Sequence, residues 1–132
     1  MLKWKDDYLL GIEKIDEQHK ELFRIAESAY NLLKSEYFVD KYNKIIEIVE
    51  ELRDYTIFHF QEEEKYMMSI KYKKFFSHKM EHDNFIKKLN EVDLKAIDEN
   101  QDKYIMELLE FIVNWISEHI FVTDFKIVNK VR

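Results

Sequence analysis

The stretch IIEIVEELRDYTIFHFQEEEKYM, from Ile45 to Met67, carries an unbroken inward stripe. Ile45, Ile48, Val49, Leu52, Thr56, His59, Phe60, Glu63 and Met67 recur at three- and four-residue steps, the spacing of one face of an α-helix. Residues four apart on a helix lie about 40° from each other, so His59 and Glu63 can reach one point. A carboxylate on such a face is costly to bury alone, and a bound cation removes that cost.

Three further stripes flank this one. The first is His19, Leu22, Phe23, Ala26, Ala29, Tyr30 and Leu33, with Asp16 expected as the helix N-cap. The third helix is expected from about Lys73, with Phe75, His78, His82, Phe85, Ile86 and Leu89 inward. The fourth presents Ile105, Leu108, Leu109, Ile112, Trp115, Ile116, His119 and Ile120. A connection from Glu36 to Val39 leads to Asp40, a second expected cap, and a polar stretch from Asp93 to Asp102 precedes the fourth helix. Residues 1–15 read as an arm with Trp4, Tyr8, Leu9, Leu10, Ile12 and Ile15 as scattered apolar positions. Connections of this length join antiparallel neighbours. The expected fold is all-α, an antiparallel up-down-up-down four-helix bundle with an N-terminal arm, as a single domain over 1–132.

Composition agrees and excludes other classes. One glycine, no proline and a hydrophobic fraction of 46% favour long helices around one core over a loop-rich or sandwich fold. The net charge of −6, with lysine and glutamate runs interleaved, offers no basic stripe for nucleic acid. No apolar run approaches the roughly 20 residues of a membrane span. The start, Met-Leu-Lys-Trp-Lys-Asp-Asp, has charges where a signal peptide needs an apolar stretch. Zero cysteine excludes disulfides and thiol chemistry and fits a cytoplasmic location.

All five histidines of the chain fall on these stripes. A lone histidine on an apolar stripe is most often a satisfied core residue, but five of them on four helices weaken that reading. The pattern is His19, then His59-x-x-x-Glu63, then His78-x-x-x-His82, then His119-x-x-x-x-Asp124. Seven candidate ligands exceed the four or so that zinc takes. They suit two octahedral ions sharing carboxylates, and imidazole with carboxylate points to non-haem iron over calcium or magnesium. No His-Glu-x-x-His occurs, and no Glu-x-x-His stands at any histidine, so the zinc-protease and ferritin-type motifs are absent. Five residues on an ideal helix turn about 500°, which leaves Asp124 about 140° from His119. The fourth helix is therefore expected to widen, distort or end between the two.

Together these motifs resemble the bacterial haemerythrin family, non-haem di-iron proteins that bind oxygen. The resemblance runs over nearly the whole chain: Trp4, Gly11-Ile12-Glu13-Lys14-Ile15-Asp16-Glu17-Gln18-His19, His59-Phe60-x-x-Glu63-Glu64-x-x-Met67, His78-x-x-x-His82-x-x-Phe85 and Trp115-x-x-x-His119-Ile120-x-x-x-Asp124. The family often has Gly-Tyr-Pro before the third helix, where this chain has Lys71-Tyr72-Lys73. The resemblance implies two iron ions (Fe2+/Fe3+) with an oxo or hydroxo bridge. His78, His82 and His119 would complete one iron and His19 and His59 the other, with Glu63 and Asp124 bridging both. That count leaves one open position, on the second iron, for O2 and other small ligands. Leu22, Phe60, Trp115 and Ile116 adjoin the ligands and are expected to form its pocket. Glu62, Glu64, Lys71, Lys73 and Lys74 are expected on a solvated surface.

The expected function is reversible O2 binding for storage, delivery or scavenging, by a monomer that is not an enzyme. The alternatives are an oxygen or redox sensor module, and an oxidase or peroxidase at the same site. The sensor reading is lowered because these residues hold no second domain or long linker. The enzyme reading is lowered because no added acid–base group is legible, the faces of Asp16, Glu81 and Glu118 being open.

Overall fold

A computed structural model describes residues 3–35, 41–92 and 102–128. Four α-helices account for most of them: α1 (Glu13–Lys34), α2 (Lys41–Ser69), α3 (Phe75–Asn90) and α4 (Asp102–Glu118). No strand occurs among the described residues. The expected cap at Asp40, the Glu36–Val39 connection and all of the Asp93–Asp102 stretch except its last residue lie outside them. Helix α1 packs on α2 and α4, and α2 packs on α3, as in the expected bundle. No described helix is long and apolar enough to cross a membrane.

The stripes face one core. Ala26, Ala29, Leu52 and Leu109 have no exposed surface, and Leu22, Ile45, Phe85 and Ile105 have almost none. The arm joins this core: Tyr8 is buried, stacks on Phe121 at 4.5 Å and pairs its hydroxyl with Ser117 Oγ at 3.0 Å. Helix α1 begins at Glu13, three residues before the expected cap, so Asp16 sits inside its first turn. The residue still serves the helix start. Its carboxylate reaches back to accept the N–H groups of Leu10 (2.8 Å) and Gly11 (3.0 Å), which no helical carbonyl satisfies. Gly11 takes a φ of 96°, open to glycine without strain.

The α2–α3 elbow is a tight C-terminal turn of the Schellman type. Lys71 N–H donates to Met68 O (3.1 Å) and Tyr72 N–H to Met67 O (2.9 Å), closing the last carbonyls of α2. The residue at the bend must take a left-handed conformation, and Lys71 does so with φ 54°. Glycine is the usual occupant, and a side chain there costs about 1–2 kcal/mol. Helix α3 follows at Phe75, two residues later than expected.

Helix α4 changes its winding where the sequence requires it. Regular α-helix stops at Glu118, a π-helical turn spans His119–Thr123, and a 3-10 helix runs from Asp124 to Val128. The wider π turn brings residues five apart onto one face. Asp124 N–H donates back to the carbonyls of His119 and Ile120, so the turn is closed at the residue that must point inward.

Candidate metal centre

Each helix delivers its polar residues to one buried volume between the four. His19 comes from α1, His59 and Glu63 from α2, His78 and His82 from α3, His119 and Asp124 from the π turn and its end. All seven are buried, and Glu63, His82 and Asp124 have no exposed surface.

The two carboxylates divide the histidines into two groups. Glu63 Oε1 lies 2.7 Å from His78 Nε2, 3.1 Å from His82 Nε2 and 3.8 Å from His119 Nε2. Its other oxygen, Oε2, lies 3.4 Å from His59 Nε2 and 3.6 Å from His19 Nε2. Asp124 repeats the division, with Oδ1 at 3.0 Å from His78 and 3.2 Å from His119, and Oδ2 at 3.2 Å from His19. Each carboxylate thus turns one oxygen to a three-histidine group and one to a two-histidine group. Two clusters could hold a metal ion: Glu63, His78, His82, His119 and Asp124, and His19, His59 and Glu63.

Hydrogen bonding alone does not account for this packing. The Nε2 atoms of His82 and His119 face each other at 3.0 Å, and those of His119 and His78 at 3.1 Å. Metal–nitrogen bonds of about 2.1 Å at right angles put neighbouring donors about 3 Å apart. Both oxygens of Asp124, Oε2 of Glu63 and both ring nitrogens of His19 are buried without a hydrogen-bond partner. Orphaned donors and acceptors at this density are rare in folded proteins and call for an ion. The donor set, five imidazoles and two carboxylates, fits non-haem iron.

Outer partners orient the rings. His59 Nδ1–H donates to Gln18 Oε1 at 2.7 Å, and His82 Nδ1–H to Glu64 Oε2 at 2.8 Å. These bonds place the proton on Nδ1 and leave the Nε2 lone pair facing inward. Glu81 Oε1 lies 3.4 Å from His119 Nδ1 and accepts from Thr123 Oγ1 at 3.0 Å. Glu64 was expected on a solvated surface, and the structure corrects this: it is only partly exposed and holds His82. Glu62 is likewise partly buried and pairs with Lys14 and Lys65. Gln18 and Thr123 carry no signal in the sequence that marks them as partners of a ligand.

In the metal-free site the charges hold one another. Burial opposes charge on His19 and His78, but Asp124 and Glu63 outweigh it and lift both to about 9. His119 is raised for the same reason, with Glu81 adding to it. Burial dominates at His59 and lowers its pKa. Burial also opposes charge on Glu63, yet His119, His19, His59 and His78 hold it well below the usual carboxylate range. The Asp124 carboxyl is lowered too, burial and Glu63 opposing and His119 and His19 prevailing.

The four expected pocket residues differ in their surroundings. Phe60 stacks face to face on His82 at 3.8 Å and stands 6.0 Å from His59. Trp115 stacks on His119 at 4.6 Å and on Phe85 at 3.9 Å. Leu22 and Ile116 are buried in the core on α1 and α4.

Residues 10–131 match the Hemerythrin HHE cation binding domain. The chain belongs to the haemerythrin family. A protein named Bacteriohemerythrin from Clostridium acetobutylicum is 56% identical over 94% of this chain and 96% of its own length. A Bacteriohemerythrin from Pseudomonas paraeruginosa is 37% identical over 99% of this chain and 82% of its own. Likeness extends to a Myohemerythrin of Theromyzon tessulatum, 29% identical over 94% of the chain and 88% of that protein.

Proposed function

We propose that the chain binds O2 reversibly at a di-iron centre, for storage, delivery or scavenging. The observation that carries this is the division of Glu63 and Asp124, each with one oxygen toward either histidine group. In this reading His78, His82 and His119 would hold one iron and His19 and His59 the other, with Glu63 and Asp124 offering a carboxylate oxygen to each and an oxo or hydroxo group completing the centre. The iron pair supplies the electrons and the open coordination position that a closed-shell protein side chain cannot offer O2.

The chain's own groups do the rest. Gln18 and Glu64 fix the tautomers of His59 and His82, so that each ring presents a lone pair without rearranging. Glu63 and Asp124 supply two negative charges in a buried site, which offset the charge of two cations. Phe60 and Trp115 cover His82 and His119 with apolar rings, and in this reading Leu22 and Ile116, both buried, would line the open position. A dry wall there limits the proton supply that would turn a carrier into an oxidase. In this reading the chain acts as one domain over 1–132, a monomer in a reducing cytoplasm, with O2 and other small molecules as its ligands.

Metal analysis of protein expressed with ample iron should give two irons per chain. Oxygen titration of the reduced protein, followed by deoxygenation under argon, should trace the same spectral change forward and back. A stoichiometry near one, native zinc, or immediate turnover of O2 would overturn the reading.

A further inference from the structure

The elbow between α2 and α3 carries a surface that the metal centre does not use. From Lys65 to Met80 the chain has five lysines and no aspartate or glutamate, in a protein of net charge −6. Lys65 and Lys79 pair with Glu62 and Asp83. Lys71, Lys73 and Lys74 are exposed and enter no ion pair among the described residues. Apolar side chains stand among them: Met68, Ile70, Phe76 and Met80 are 64%, 44%, 82% and 64% exposed. Exposed apolar side chains set among unneutralised charges are a usual form of interaction site. Lys71 adds a second sign. It holds the left-handed bend that glycine would occupy without strain, so its charge is kept against a conformational cost.

Phe76 and Met80 lie on the outer face of the helix whose inner face carries His78. Phe76 precedes His78 by two residues, about 3 Å along the helix axis. The Tyr72 ring stands edge-on to the His78 imidazole, with centroids 6.4 Å apart. Tyr72 of the elbow thus stands edge-on to one histidine of the three-histidine group.

We propose that this surface docks a small acidic one-electron carrier protein, which re-reduces the centre through the Tyr72–His78 edge. The proposal rests on the di-iron reading above. Two successive encounters would each oxidise one carrier molecule, and together would supply two electrons to an oxidised di-iron centre, with one proton drawn from water to balance the charge. No bond to the carrier forms. Redox encounters bury little area and depend on charge steering, which three free lysines around four apolar side chains provide.

The test uses the iron-loaded protein and a flavodoxin as the acidic carrier. Calorimetric titration with oxidised flavodoxin measures docking, and stopped-flow mixing with its reduced form measures re-reduction. Docking should be saturable and weaken with salt. Lys73→Glu/Lys74→Glu should weaken docking and slow re-reduction by about tenfold or more at low salt, the gap closing at high salt. Lys87→Glu/Lys88→Glu makes the same charge change about 20 Å along α3 and should leave both unchanged. Phe76→Ser should weaken docking with little salt dependence. Lys71→Gly separates packing from docking: it should raise the melting temperature by about 2–4 °C and still dock less well. Equal losses from the two lysine pairs, or no saturable docking, would overturn the proposal. So would lysine-dependent binding to vesicles of phosphatidylglycerol and phosphatidylcholine without flavodoxin docking, which would make the patch a membrane contact. Oxygenation of the same samples is read separately. A protein that docks flavodoxin but never oxygenates loses the O2-binding reading and keeps the docking surface.

Discussion

At the scale of single residues, the centre depends on side chains that never touch a metal as well as on those that would. Glu64 shows this. It adjoins Glu63 in sequence, yet its carboxylate turns away from the shared volume and accepts the Nδ1 proton of His82. Removing such an outer partner commonly costs 10–100-fold in metal affinity. Glu64→Ala should therefore weaken iron binding by about that factor, read by competition with a chelator, while far-UV circular dichroism stays unchanged. Full affinity in a folded Glu64→Ala protein would make the contact incidental. Ile116 tests the pocket wall. It is 4% exposed and lies one turn before His119. Ile116→Ala should cost about 2–5 kcal/mol of stability. If Ile116 shields the open position, the variant should also oxygenate normally and autoxidise faster in stopped-flow decay. A stability loss with unchanged autoxidation would leave Ile116 as ordinary core.

At the scale of elements, the informative departure is the π turn of α4. A regular helix would carry the Asp124 carboxylate about 140° away from His119. The π turn absorbs one extra residue, so that five positions close one turn and both side chains face the bundle axis. The register is then a point of failure. Inserting one alanine between Val122 and Thr123 should swing Asp124 by about 100° and remove one bridging carboxylate. Metal analysis should find fewer than two irons per chain. Deleting the exposed Val122 should instead restore an ordinary α turn, with Asp124 four places from His119 and still inward, and keep both irons. Retention of two irons by the insertion variant would show that the π turn is not what aims Asp124. The elbow at Lys71 is the opposite case, since a strained residue there leaves the turn's hydrogen bonds intact.

At the scale of the molecule, the centre is also part of the core. Seven buried polar residues replace apolar packing at the middle of the bundle. In the absence of metal, protons on His19 and His78, both raised to about 9, balance Glu63 and Asp124. The sign of the pH effect follows. A folded-state pKa above the unfolded value of 6.5 stabilises the metal-free protein fully below pH 6.5, and that contribution fades as pH rises through about 9. The metal-free protein should melt at a steadily lower temperature from pH 6.5 to 9, checked by calorimetry. Iron must displace these protons, so its apparent affinity should rise over the same window. The iron-loaded protein should melt well above the metal-free one throughout, because binding to the native state alone adds to folding free energy. Equal melting temperatures with and without iron would place the centre outside the cooperative core.

Much of this was decided locally. The period of the apolar residues specifies four helices because only one helix face can be buried, and the same period places His59 with Glu63 and His78 with His82. The five-residue step from His119 to Asp124 is incompatible with an ideal helix, so a change of winding between those two residues was legible as well. What the chain could not disclose was set by contacts between elements. Asp16 reads as a helix cap and instead reaches back from inside the first turn, because the Gly11 bend brings two free N–H groups over it. Glu64 reads as solvated surface and Gln18 carries no signal, and packing of α1 on α2 and α2 on α3 turns them onto His82 and His59. Sequence spacing specifies direction around one helix axis. The division of each carboxylate between two histidine groups depends on distances between axes, and those exist only once the bundle has closed.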